Sequence, residues 1–413
     1  MAFNNIRVSN GRVLFFGVFL ALIFGGFFWA STSLHRNILY VGGIIGALLL
    51  YLPFIQKFFN DSGLTFNVFK QIIRQPLFIA AALFLVYSTF SILWSDTEQS
   101  ARIIKFTKIF FILPLFLSLY MAATNMSDKI YKNILLVFIG TALISSIAAL
   151  IAHYGLGMAE NPRLQGFGRA ENSVMFALFT GIACLLVTFP DKENFHVLGK
   201  LWVRLSLLAV LLPVLVMTMS RGPLLAFLIS VVVICFFKKK YVPVLIAVGS
   251  VLLIAVVAYF MDVPIDKVIE RGTSGRDAIW KQALVLIQEK PLFGHGVATK
   301  QLYDVPYKLV VLQAPHAHSL YFSALVQGGI INLLLLLTTY WFAFKSALKD
   351  LVNEKRSSAF IFLSMGALVG LTDFGGFNTN LGGAWLVFWM PIGYLLAVSV
   401  RNSSSQSGKI APA

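Results

Sequence analysis

Apolar residues fill this chain in runs of about twenty, separated by short polar connectors. A helix needs about 20 apolar residues to cross the hydrocarbon of a bilayer. Runs near 12–30, 37–55, 77–94, 103–123, 132–153 and 173–189 therefore read as spans, followed by 199–218, 223–237, 241–260, 318–344, 357–374 and 382–399. The expected fold is an all-α polytopic membrane protein of about twelve transmembrane helices. Residues 1–260 hold spans one to nine, 261–317 form one outer loop, 318–400 hold spans ten to twelve, and 401–413 form a cytoplasmic tail. No small-residue cleavage site follows the first run, which reads as a retained helix rather than a signal peptide. The tail "RNSSSQSGKIAPA" is polar and reads as disordered.

Within the outer loop, Ser274 is placed to cap a helix, with Asp277 three residues on as in a capping box. Ile279, Trp280, Ala283, Leu284, Leu286 and Ile287 recur at helical spacing and Pro291 ends the run. The pattern predicts an amphipathic helix near 276–290, too short to span and lying on the outer membrane surface.

Composition agrees. The 413 residues are 58% hydrophobic and 12% charged, against about 25% charged in soluble domains. A net charge of +16 could point to nucleic acid, but its placement does not. With the N-terminus inside, alternate loops collect Arg7, Arg12, Lys57, Lys70, Arg74, Lys129, Lys132, Lys192, Lys200, Arg204, Lys238, Lys239, Lys240, Lys345, Lys349, Lys355, Arg356, Arg401 and Lys409. That is the positive-inside bias of an inner membrane, with both termini cytoplasmic. Cys184 and Cys235 each fall within a span, so neither a disulfide framework nor a cysteine metal site is suggested.

Six arginines break that rule by falling outside: Arg36, Arg102, Arg163, Arg169, Arg221 and Arg276. Four of them have an ordinary reading. Arg221, in the tight turn "MSRGP", could snorkel to headgroups. Arg276 could be a solvated residue in the first turn of a helix, although a cation is unfavourable there. Arg163 and Arg169 could be plain loop charges. Several guanidiniums converging on one cavity would instead suit a phosphate or pyrophosphate, whose oxygens match the arginine fork. No Asp/Glu cluster with metal-ligand spacing stands beside them, so no cofactor is expected.

His316 and His318, in "QAPHAHSLYF", open a membrane span. Either could be a plain interfacial residue, yet imidazole is also the natural base for a hydroxyl at neutral pH. A base beside arginines implies group transfer to a hydroxyl from a phosphate-bearing, lipid-linked donor. A transporter of lipid-linked sugars would place its charges at mid-membrane. Here they cluster at outer span ends, Lys105 and Lys108 being the near-span exceptions.

From about Tyr87 to Leu336 the chain resembles the O-antigen ligase and polymerase superfamily of bacterial inner membranes. "YSTFSILWSDTEQSARIIK" looks like that family's third-span exit. Arg163, Gly166 and Asn172 match its R-x-x-G…N element, and Ser220, Arg221 and Gly222 its Ser-Arg-Gly turn. Arg276, Trp280, Pro291, Gly294 and Gly296 match its loop helix, and His318, Ser319 and Gly329 its His-[Asn/Ser]-x9-Gly signature. Asn332 departs, standing where a second glycine is common. The resemblance implies a glycosyltransferase of GT-C-like architecture, inverting and metal-independent, with its active site on the periplasmic face. The donor would be a glycan on undecaprenyl pyrophosphate, and for a ligase the acceptor would be a lipid A–core hydroxyl. His318 would be the base, with Arg221 and Arg276 on the pyrophosphate. Arg163, Arg169, Asn172, His316 and Trp280 would contact substrate. A polymerase, a protein O-oligosaccharyltransferase and a lipid-linked sugar transporter are the alternatives.

Overall fold

The computed structural model describes residues 73–106, 128–157, 163–192, 195–239, 275–307, 310–376 and 383–407, with scattered positions at 18–41 and residue 249. Apart from those scattered positions, the runs expected as spans at 37–55 and 241–260 and the loop 261–274 lie outside the described residues. So do parts of 12–30 and 103–123.

What is described is almost wholly helical: α1 (Pro76–Phe90), α2 (Asp128–Leu150), α3 (Ser173–Thr188), α4 (Leu201–Met217), α5 (Arg221–Lys238) and α6 (Arg276–Glu289). A two-stranded antiparallel hairpin follows, β1 (Tyr303–Tyr307) and β2 (Val310–Ala314). Then come α7 (Leu320–Asn353), α8 (Ser358–Val369), α9 (Gly383–Val387) and α10 (Trp389–Ser407). Among the described residues, four segments are long and apolar enough to cross a membrane: Pro76–Trp94, Lys132–Gly155, Arg221–Lys238 and Leu320–Asn353. Ser173–Thr188, Leu201–Met217, Ser358–Val369 and Trp385–Ser399 are apolar but shorter. This is a helical membrane protein.

Helix α3 is the axis of the bundle. It is buried from Phe176 to Val187 and packs on α2, α4, α5 and α8. In lipid, helix association rests on packing rather than on escape from water. The core accordingly interlocks rings: Phe138 lies 6.2 Å from Phe179 and 5.7 Å from Phe362.

The two ends of the bundle differ. At one, Asp191 accepts from the backbone N–H groups of Ser357 and Ser358 at the start of α8, Lys238 Nζ donates to Ser357 Oγ at 2.9 Å, and Lys192 pairs with Glu354 at 3.3 Å. The other end gathers the exits of α1, α4 and α8, the starts of α3, α5 and α7, and the α6–hairpin unit.

That unit corrects the expected cap. Helix α6 starts behind Gly275, at φ 77°, and not behind Ser274; the chain must turn through a left-handed residue there, and a Cβ would meet Val305. Its apolar face is also taken up by protein. Ile279 and Ala283 form a small core with Tyr303, Ala314, Ala317 and Val326, leaving Leu284 and Val285 exposed. The hairpin supplying half of that core is an element the sequence reading did not anticipate.

Helix α7 is broken at Gly329 (φ 65°, ψ −165°). The loop 291–296 seals the break. His295 and Gly296 donate their backbone N–H groups to the carbonyls of Val326 and Gln327, and Ile330 donates to the carbonyl of Pro291. Such a kink leaves carbonyls without helical donors, and "PLFGHG" provides substitutes. A Cβ on Gly294 would sit 2.6 Å from the Gly328 nitrogen, and one on Gly329 would strike the Leu292 carbonyl. Asn332 bridges the same break from inside, bonding Ser88 Oγ and the Ala324 carbonyl at 3.2 Å each. At the far end of the chain, α10 stays helical to Ser407 although its polar residues read as disordered. Each residue added to an existing helix gains a hydrogen bond without a new nucleation cost.

Candidate functional site

The start of α7 positions the histidine. Ser319 is its N-cap, the hydroxyl accepting from Phe322 N at 3.4 Å. The Leu320 N–H donates to the Gly370 carbonyl at 2.7 Å, which ties this helix start to the loop after α8. His318, just before the cap, takes φ 46° and keeps 32% of its side chain exposed, enough for a ligand to reach.

Behind it stands Asp373. Its Oδ1 lies 3.7 Å from His318 Nδ1, an ion-pair rather than a hydrogen-bond distance, and accepts from Phe374 N at 2.8 Å. Burial by itself would push this carboxyl up. The His318 imidazole and then the Phe374 N–H oppose that, and the carboxyl is held below the usual carboxylate range. A carboxylate beside Nδ1 favours the tautomer protonated there, which leaves Nε2 as the acceptor. The His316 ring lies 4.1 Å from that of His318, and its Nδ1 accepts the His318 backbone N–H at 3.2 Å. Burial, and then the neighbouring His318, lower the His316 pKa to about 4 against the pull of Asp373.

In front of His318 opens a cavity of about 610 Å³. One wall is the 219–223 turn with Arg221, and Arg163 lies beside it. A second is α6, through Arg276 and Trp280. The hairpin closes a third through Leu312, Gln313 and Ala314, and Thr372 and His318 also line the space. Arg163 Nε donates to the Thr218 carbonyl at 3.0 Å and its Nη2 to Ser220 Oγ at 2.7 Å, clamping the turn that presents Arg221. Arg276 Nε donates to the Thr372 carbonyl at 2.8 Å. Trp280 donates its ring N–H to the Ala317 carbonyl at 3.1 Å and stacks on Phe322. Arg221 and Arg276 are each the first residue of a helix, so two positive helix ends face the same space as three guanidiniums. No carboxylate belongs to the described lining. The arrangement is built to receive an anion.

Three residues singled out in the sequence do not line this cavity. His316 lies behind His318. Asn172 caps α3, its Oδ1 accepting from Val174 N at 2.8 Å and from Met175 N at 3.4 Å. Arg169 lies near the buried His35, whose pKa is lowered to about 4 by burial first and by the Arg169 charge last. Another outer arginine has a structural partner: Arg102 Nη2 donates to the Ser95 carbonyl at 2.5 Å, closing the end of α1. His295 caps α6 through the Leu286 carbonyl at 2.8 Å. Arg36 lies outside the described residues. The sequence reading missed Thr372 and Asp373. An acid in "LTDFGG", at the outer end of a span, was the available signal.

The cavity joins residues from distant parts of the chain, and comparison with known proteins gives the set a context. Residues 205–337 match the family model described as O-antigen ligase. Across 418 aligned residues the chain is 28% identical to an O-antigen ligase of Pseudomonas aeruginosa strain PAO1, covering 98% of this chain and 97% of that one. The chain is similar to O-antigen ligases over nearly its whole length. The family match carries Arg221, Arg276, Trp280, His316 and His318, whereas Arg163 and Asp373 fall only within the longer alignment.

Proposed function

We propose that this protein is an O-antigen ligase, a glycosyltransferase that moves a glycan from undecaprenyl pyrophosphate to a sugar hydroxyl of lipid A–core. The observation that carries this is the cavity itself: Arg163, Arg221 and Arg276 share it with His318, whose Nδ1 is backed by Asp373.

The chemistry follows from that placement. The acceptor hydroxyl gives its proton to His318 Nε2 as its oxygen attacks the anomeric carbon. The bond from that carbon to the pyrophosphate oxygen breaks, and undecaprenyl pyrophosphate leaves with the electron pair. Attack from the face opposite the leaving group inverts the anomeric centre. Negative charge grows on the pyrophosphate as the bond breaks, so the Arg221 and Arg276 forks are worth most in the transition state. Asp373 stabilises the imidazolium formed in the same step. Guanidiniums and helix ends take the pyrophosphate charge, so the reaction is read as metal-independent.

The membrane setting belongs to the same proposal. Lys192, Lys238, Lys239 and Arg356 stand at the bundle end away from the cavity. The positive-inside rule supports reading that end as cytoplasmic and the cavity as periplasmic, in an inner-membrane protein with both termini inside. About twelve spans in a GT-C-like arrangement would groove the polyprenyl tail.

The test combines purified protein, lipid-linked glycan and rough lipopolysaccharide, with chelator and without nucleotide. The expected product is a ladder of capped lipopolysaccharide that His318→Ala abolishes. A glycan growing on its own lipid carrier would make the protein a polymerase. Donor binding without any turnover would make it a transporter.

A further inference from the structure

His318 holds a backbone conformation that residues with a Cβ rarely adopt, at φ 46°. Such a residue persists where its surroundings over-determine it. Here the turn is pinned at three places. Leu320 N donates to the Gly370 carbonyl at 2.7 Å, Trp280 Nε1 donates to the Ala317 carbonyl at 3.1 Å, and His318 N donates to His316 Nδ1 at 3.2 Å. Of the three, the His316 contact acts on the strained residue itself.

We propose that His316 is a positioning residue, whose Nδ1 accepts the His318 backbone N–H and thereby aims the His318 ring between Asp373 and the cavity. This rests on the ligase reading of the site. The geometry excludes a second use of the same nitrogen. An Nδ1 that accepts an amide proton carries a lone pair, so the His316 proton is on Nε2 and the ring is neutral. A neutral His316 leaves Asp373 to His318, and the burial that lowers its pKa to about 4 keeps it so. Gly375 walls the ring in from the other side, since a Cβ there would stand 2.8 Å from His316 Cβ. Two histidines 4.1 Å apart therefore divide the work: one faces the cavity and takes the proton, the other fixes its neighbour's backbone.

The experiment pairs turnover with nitrogen NMR on histidine-labelled protein in bilayers. His316→Ala should lower kcat at least ~10-fold, since small misplacements of a reacting group are costly, while KM for donor and acceptor changes little. His316→Asn places Oδ1 where Nδ1 stands and should recover most of the loss; His316→Gln, with its oxygen one bond further out, should not. The spectrum of the wild type should show His316 Nδ1 unprotonated. Wild-type kcat in His316→Ala, or an Asn variant as inactive as the Ala variant, would overturn the inference; the second result would make His316 the proton acceptor. If the wild-type protein turns over no substrate, the ligase reading fails on its own. The nitrogen shift then decides the positioning alone, and a protonated Nδ1 would overturn it.

Discussion

Arg276 Nε donates to the carbonyl of Thr372 at 2.8 Å, and the residue after Thr372 is the carboxylate behind His318. The loop "LTDFGG" thus ties the anion-binding wall to the proposed base. Thr372 also abuts Gly222, where a Cβ would lie 2.6 Å from its hydroxyl, so the Arg221 turn leans on the same loop. Three groups from distant parts of the chain are registered against one short segment.

Asp373 is the member of that segment to which the proposed mechanism gives a chemical role. Asp373→Asn keeps the shape but loses the charge that stabilises a protonated His318. We expect kcat to fall ~10²-fold or more, in the range of general acid–base contributions, with little change in KM. Wild-type kcat in Asp373→Asn would show the carboxylate to be structural only.

Acid should destabilise the fold in two steps. For His316, the folded pKa of about 4 lies under the ordinary 6.5, so the unfolded chain binds more protons between them and stability falls as the pH drops through that window. Asp373 has the opposite chemistry and the same direction. Its carboxyl is held below 3.8, so its contribution is present above that value and is lost as the pH falls through the depressed pKa. Thermal midpoints between about pH 7 and 4 should slope down in the wild type and less in His316→Asn. His35, also held near 4, supplies a remaining slope. Identical slopes in wild type and variant would contradict the assignment for His316.

The break in α7 makes a prediction about glycine. Gly329→Ala puts a Cβ onto the Leu292 carbonyl and forces a side chain into φ 65°, a strain of ~1–3 kcal/mol before the clash is counted. We expect a lower thermal midpoint and lost turnover, although the substitution lies one wall away from the cavity. Gly140→Ala is the matched control. Nothing lies within 4 Å of a Cβ there, and its midpoint should be unchanged or slightly raised.

These features differ in how plainly the chain announces them. Spans such as α1, α5 and α7 are legible because a bilayer imposes one length and one polarity on every crossing. The kink at Gly329 is not, since an apolar run looks the same whether its helix is whole or broken. Nor is the hairpin: five-residue strands are short, Pro306 argues against a strand, and the pairing partner of α6 lies in later sequence. Arg221, Arg276 and His318 could be picked out because each is a charge or imidazole at the edge of an apolar run. Asp373 pairs with a residue 55 positions earlier, a separation that leaves no periodic trace.

Arginine chemistry separates charge from geometry at Arg221. Arg221→Lys keeps the cation but loses the planar fork that grips two oxygens of a phosphate. With the fork lost, kcat/KM should fall ~10-fold or more, each tenfold corresponding to about 1.4 kcal/mol of transition-state stabilisation. Full activity in Arg221→Lys would remove the bidentate role and leave a simple charge.

Asn172 tests whether a residue matched to a family motif acts on substrate or on the fold. As the N-cap of α3 it satisfies the N–H groups of Val174 and Met175, so Asn172→Ala should cost ~1 kcal/mol of stability. Asn172→Asp keeps an acceptor oxygen and adds a negative charge that suits a helix N-terminus. Its stability should match the wild type, and neither variant should change KM for the donor. A residue binding pyrophosphate would behave in the opposite way. The aspartate would then repel the donor and raise its KM more than alanine does, with stability unaffected, and that pattern would move Asn172 from the scaffold of the site into its binding surface.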